Sequence, residues 1–433
     1  MAVNSVAIAI LLGTFFVMVV FGVPITFALI VSSLATVAYL QLPIMIVFQQ
    51  MAKGVQSFSL ICIPFFILAG EIMSRGGISR KIINFANIPV GRFNGGLAYV
   101  NVLASMFFGG ISGSAIADIS SIGSILIPSM KDEGYDGDFS VAVTVTTACQ
   151  GVVIPPSQIM IVYSLAAGGL SVAKLFTAGI IPGIMLGLSM MLAIFFMGLK
   201  HPFPKGKKVS FREALKIIGN AFFALFTAVI IMGGIIFGIC TATESAALAC
   251  TYALLISFLV YRSIKWKDLL PILKSSLRSL AIVLSLIAAA NAFSWVLAYL
   301  QIPRLATNLI LSISSNKYVV LLFINVLLLF LGCIMDMSPL VLILTPILLP
   351  IVNKFGMSPI HFGVMMIINL AVGLCTPPVG SALMVGCAIG KTSIEKTTKA
   401  MIPLYVAMII TLLVVTYWSD MVMFLPQLIN PLK

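Results

Sequence analysis

The chain has 433 residues, 61% apolar and 9% charged, with a mean hydropathy of +1.18 and a formal net charge of +13. Soluble domains run at roughly 45–50% apolar and 25% charged, so this composition excludes a soluble enzyme and indicates an integral membrane protein. With about 20 apolar residues per span, the length holds roughly a dozen membrane segments and no sizeable soluble domain.

Three spans are predicted first, at 4–22, 25–46 and 58–74. A Gly/Ser-rich tip, Gly109-Gly-Ile-Ser112-Gly113-Ser114, folds the stretch 95–131 into a re-entrant hairpin. Pro155-Pro156 then interrupts a span over 138–168, because proline removes a donor and clashes with the preceding turn. A span at 175–199 closes the first half, and a basic linker, 201–216, leads to the second. There the predicted spans are 217–240, 242–262 and 279–300, followed by a hairpin over 318–353 with Asp336 and Ser338 at its tip. A span broken at Pro377-Pro378 covers 359–390, and a last span covers 400–424. Leu269, Leu273 and Leu277 fall at helical spacing among charges, which predicts an interfacial helix over 267–278.

The halves are related. At a constant offset of 222 residues, Gly151 to Ser171 matches Gly373 to Ser393, Pro155-Pro156 falls on Pro377-Pro378, and Gly110 falls on Gly332. Farther upstream, Phe21-Gly22 resembles Phe237-Gly238. Each repeat, 1–200 and 217–433, holds five complete crossings, an odd number, so the second lies upside down relative to the first. Inverted repeats built around interrupted helices are an architecture of secondary transporters, with the site near mid-membrane. The basic residues agree: 19 of the 25 Lys and Arg fall in alternate loops, which places those loops in the cytoplasm. Both termini are then periplasmic, and the absence of Lys or Arg before Lys53 argues against a cleaved signal peptide. Scattered at loop ends, these charges form no nucleic-acid stripe.

Non-helical backbone at membrane depth is tolerated only where it is buried or lines a cavity. The two tips and two Pro-Pro breaks are such places, offering carbonyls to a cation and amides to a carboxylate. Ser112, Ser114, Ser157, Thr376 and Ser381 add hydroxyls. Glu71, Asp118, Glu244 and Asp336 lie within apolar segments, where a carboxylate is costly and functional by default. Asp336 is the strongest candidate for cation binding; Asp118 could orient its tip, and Glu71 and Glu244 suit capping or snorkelling. The seven Cys suggest neither disulfides nor zinc, and His201 and His361 read as interfacial. Gly386 to Thr392 resembles a phosphate-binding loop, yet position 385 is Val and the context is a membrane segment.

Five ordered motifs, Ile63-Pro-Phe-Phe-Ile-Leu-Ala-Gly-Glu71, Ser112-Gly-Ser-Ala-Ile-Ala-Asp118, Thr241-Ala-Thr-Glu244, Asp336-Met-Ser-Pro and Gly373-Leu-Cys-Thr-Pro-Pro378, give the chain its family likeness. It resembles the large membrane subunit of tripartite ATP-independent periplasmic (TRAP) transporters. One departure is Ala242, where the family often has Pro. The resemblance implies an elevator-type mechanism in a bacterial inner membrane, with Na⁺ as coupling ion and no organic cofactor. It also implies a small four-span membrane subunit, a soluble periplasmic substrate-binding protein, and an organic-anion substrate such as sialic acid, another sugar acid or a C4-dicarboxylate. Family Na⁺ sites map onto Ser112, Gly113 and Ser114 with Pro155 and Pro156, and onto Asp336 and Ser338 with Gly373, Thr376 and Pro377. Asp118, Ser157, Gln158, Pro378 and Ser381 are the substrate-binding candidates. The alternative is a stand-alone carboxylate symporter or antiporter of the same type without a binding protein; a channel or a membrane enzyme fits poorly, since neither a filter repeat nor a catalytic cluster is present.

Overall fold

The computed structural model describes residues 4–200, 202–206 and 209–429. His201, Lys207 and Lys208 of the linker, Lys433, and both extreme termini lie outside the described residues. The described chain is helical, with one isolated bridge between Asn94 and Lys205.

The first half comprises α1 (Ser5–Val20), α2 (Ile25–Tyr39), α3 (Met45–Val55), α4 (Cys62–Arg75), α5 (Ile78–Val90) and α6 (Gly96–Ser112). It continues with α7 (Ala115–Asp118), a π-helical turn (Ile119–Gly123), α8 (Ser124–Asp132), α9 (Gly137–Gly151), α10 (Gln158–Ala166) and α11 (Val172–Lys200). The second half comprises α12 (Phe211–Ile236), α13 (Ala242–Leu255), α14 (Trp266–Tyr299), α15 (Ile302–Ile313) and α16 (Lys317–Gly332). After these come α17 (Met337–Lys354), α18 (Pro359–Leu374), α19 (Ser381–Gly390), α20 (Ile394–Tyr417) and α21 (Ser419–Ile429).

Helix starts follow local chemistry. The Asp136 carboxylate accepts from the Asp138 and Phe139 amides to begin α9, and Ser358 followed by Pro359 begins α18. These two helices form the centre of the molecule: all of Phe139 to Gly151 and all of His361 to Leu374 is buried. α6 packs on α9 and α16 on α18, and the halves interlock because α20 packs on α9 while α11 packs on α18.

Glycines permit the tightest crossings. A Cβ on Gly109 would stand 2.2 Å from the Gly151 Cα, and one on Gly373 would stand 2.7 Å from the Gly332 Cα. Asparagines clamp the same crossings, Asn101 to Thr144 at 2.6 Å and Asn369 to Asn325 at 2.8 Å. At the periphery, α12 presents Phe222, Phe226 and Val229 outward, an apolar surface suited to lipid.

Several sequence expectations need correction. Among the described residues six helices are by themselves long and apolar enough to cross a membrane, α11, α12, α13 with its π-helical continuation, α14, α17 and α20, and seven shorter apolar helices, α1, α2, α6, α16, α18, α19 and α21, accompany them. The stretch read as one span over 25–46 breaks after Tyr39, where Gln41 takes φ +55° and Pro43 follows, and α3 begins at Met45. The segment 267–278 is no separate helix but the first turns of the 34-residue α14. Two amphipathic helices, α5 and α15, precede the paired tips and were not anticipated. His361 is buried, its Nε2 2.6 Å from the Val415 carbonyl, so it ties α18 to α20 rather than lying at an interface. Gly386 to Thr392, set aside above as a phosphate loop, is indeed the end of α19, closed by Lys391 at φ +52°.

Candidate functional site

Each Pro-Pro break carries a cis peptide between its prolines and lies against the tip of its own half. In the first half α6 is capped by Gly113, which adopts φ +59°; a Cβ there would meet the Pro156 carbonyl at 2.9 Å and the Gln158 amide at 3.0 Å. Only glycine fits that combination of space and left-handed backbone. The Gln158 side chain donates to the Ser112 carbonyl at 3.2 Å, and Ser114 caps α7 through the Ala117 amide at 3.4 Å. Pro155, Pro156 and Ser157 are buried, and the Ser157 hydroxyl meets no hydrogen-bond partner.

The second half repeats the device with different side chains. The Val379 amide donates to the Cys333 carbonyl at 3.0 Å, joining break to tip. Asp336 stands at the start of α17 and accepts from the Ser381 hydroxyl at 2.7 Å. Thr376 donates back to the Val372 carbonyl at 2.7 Å, and the Tyr405 hydroxyl of α20 donates to the Cys375 carbonyl beside it.

The two tips meet. A cavity of about 140 Å³ is lined by Gly113, Ser114 and Gln158 from the first half and by Asp336, Ser338 and Ser381 from the second. Asp336 is its one ionisable lining residue. A larger groove of about 480 Å³ between α11 and α20 is lined almost wholly by apolar side chains and suits lipid contact.

Not every candidate reaches this cavity. Ser112, Pro155, Pro156 and Ser157 of the first pair and Gly373, Thr376, Pro377 and Pro378 of the second do not line it. Asp118 is 1% exposed, so it is no substrate contact in this conformation. Neither of its oxygens meets a hydrogen-bond partner, although the Ser105 side chain lies beside it. Glu71 pairs with Arg75 at 2.8 Å, and Glu244 accepts from the Thr241 amide at 2.8 Å in a reciprocal capping box. The sequence reading missed Tyr405 and the Asn101 and Asn325 clamps. The asparagines carried a signal, since a carboxamide inside an apolar stretch needs a partner, whereas nothing marked Tyr405.

Comparison with known proteins follows the same outline. The model of the tripartite ATP-independent periplasmic transporter DctM component matches residues 12–421. The chain is 43% identical to the uncharacterized protein YgiK of Salmonella typhimurium, over 98% of each chain. It is 38% identical to the sialic acid TRAP transporter large permease SiaM of Vibrio cholerae, over 94% of this chain and 95% of that one. Among solved structures, the Alcanivorax borkumensis YdaH transporter shares the fold at TM-score 0.60 and 16% identity, covering 86% of this chain and 87% of that one.

Proposed function

The chain belongs to the DctM component family and is the large membrane subunit of a TRAP transporter, a permease rather than an enzyme; from that premise we propose that it carries a small organic acid inward together with Na⁺. The observation that carries this reading is the lining of the shared cavity, which holds one carboxylate, Asp336, and no cationic side chain. An organic anion placed beside the Asp336 carboxylate is repelled unless a cation lies between them. Na⁺ held by the tips supplies that charge, so anion binding becomes conditional on the cation, which is coupling.

The first cation site consists of Ser112, Gly113 and Ser114 with the carbonyls of Pro155 and Pro156. Ser157, a buried hydroxyl with no other partner, belongs with this cation rather than with the substrate. The second consists of Asp336 and Ser338 with Gly373, Thr376 and Pro377. Gln158 and Ser381 then face the substrate, with Pro378 beside them. The cavity volume of about 140 Å³ lies below the roughly 300 Å³ of drug-sized sites, which favours an acid of a few carbons over a nine-carbon sugar acid.

We further propose that the repeats are inverted and the hairpins re-entrant, with hairpins and broken helices moving together along a scaffold of the other spans. The equal offset of the two tip-and-break devices supports this arrangement. A small four-span subunit and a periplasmic binding protein complete the system in the bacterial inner membrane, with both termini periplasmic. The test is uptake of radiolabelled succinate and sialic acid into proteoliposomes holding all three components. Uptake that requires an inward Na⁺ gradient is expected, with succinate preferred; uptake indifferent to Na⁺ contradicts the proposal.

A further inference from the structure

A second polar cavity, of about 470 Å³, lies away from the shared one. One wall is formed by the end of α4, the start of α5 and the chain after α13; the other by the π-helical turn and the start of α8. Its lining includes Arg80, Lys81 and six serines, and no carboxylate. The nearest acid along α4, Glu71, is already paired with Arg75 at 2.8 Å.

The start of α5 is left open toward this space. Its N-cap is Gly77 at φ +69°, which offers no side chain to the first amides. Ser79 lines the cavity, is 3% exposed, and its hydroxyl meets no hydrogen-bond partner. Lys81 is steered to the rim, its Nζ 4.1 Å from the Tyr261 ring centroid, and Tyr261 is fixed in turn by donating to the Asn220 carbonyl at 2.7 Å. Ser263 and Ser124 spend their protons on the Gly76 and Ser121 carbonyls. Ser74 and Ser121 share one hydrogen bond across the two walls, which leaves one of their two protons over.

The geometry points to an oxyanion site of the phosphate class, held by the α5 amides, Ser79, Arg80 and Lys81 on one side and by the spare Ser74 or Ser121 hydroxyl on the other. Uncapped amides at a helix start, a guanidinium and an ammonium together suit a tetrahedral anion. They present more donors, from more directions, than the two coplanar oxygens of a carboxylate use. An anion seated here bridges α5 to the arm after the first tip. The phosphate can come from an anionic lipid headgroup or from free phosphate. This inference is independent of the transport reading.

The test uses the full chain with its small subunit in phosphatidylcholine nanodiscs, titrated with inorganic phosphate at constant ionic strength while thermal unfolding is followed. A saturable rise in Tm is expected, with apparent affinity weakened roughly tenfold or more in Arg80→Gln/Lys81→Gln, two charge-assisted contacts having been lost. Ser79→Ala, which removes only the unpartnered hydroxyl, should weaken it less. A parallel arm uses nanodiscs containing phosphatidylglycerol and native mass spectrometry. Selective retention of that lipid by the wild type, lost in the double variant, identifies the headgroup as the source. If neither phosphate nor phosphatidylglycerol distinguishes the wild type from a folded double variant, the site is refuted.

Discussion

The two tip-and-break pairs share a backbone and differ in chemistry. At the 222-residue offset Asp336 falls on Ser114, Val379 on Ser157 and Met335 on Gly113. The first pair is sealed: Ser112, Gly113, Pro155, Pro156 and Ser157 are all buried. The second is open, with Asp336, Pro378 and Val379 exposed. One device thus yields an uncharged, buried tip and break in one half and a carboxylate facing the shared cavity in the other. On the proposed reading a small cation is desolvated in the first only by donors already in place, whereas the second draws it in by charge.

Breaking the sealed pair should have the largest effect. Gly113→Val adds a branched side chain where even a Cβ lies 2.9 Å from a carbonyl, at a backbone angle costing at least ~1–3 kcal/mol. Thermal unfolding should drop sharply and uptake should vanish, while an unchanged Tm would show that the tip does not bear on the break. Next comes the charge of the open pair. Asp336→Asn keeps shape but removes the anion, and half-saturating Na⁺ for uptake should rise by roughly tenfold or more. Ser381→Ala deletes the 2.7 Å bond to Asp336, a charge-assisted contact of about 1.5–3 kcal/mol. Part of that is recovered by water at this exposed position, so a several-fold rise in half-saturating Na⁺ is expected; equal values for wild type and variant would detach Ser381 from the site. The smallest effect lies outside both pairs. Glu244→Gln weakens the start of α13 only slightly, because the capping contact is exposed to water, lowers Tm a little and leaves Na⁺ dependence as it was. A change in that dependence would move Glu244 from structure into coupling.

The helical membrane class and the family were legible from composition and five short motifs, and the tips and breaks were legible because proline and glycine mark backbone departures wherever they occur. What was not legible depends on partners. A Leu pattern among charges looks the same whether the helix lies on a membrane or runs on into α14, since both bury one stripe. Asp118 and Ser157 read as substrate contacts because a polar residue near a tip carries no sign of which way it faces, and burial separates them from Gln158 and Ser381. Glu71 and Glu244 needed the positions of Arg75 and the Thr241 amide before their roles could be assigned. Amphipathic α5 and α15 were missed because their flanks lack the long apolar runs that the reading of spans relied on.

The most direct test of the paired-site account is the initial rate of acid uptake against Na⁺ concentration, in wild type and Asp336→Asn, with the sealed pair intact in both. Two cation sites predict a Hill coefficient approaching about two in the wild type and falling toward about one in the variant. A coefficient near one in both, or an unchanged value in the variant, would contradict the claim that the open and sealed pairs each bind a coupling ion.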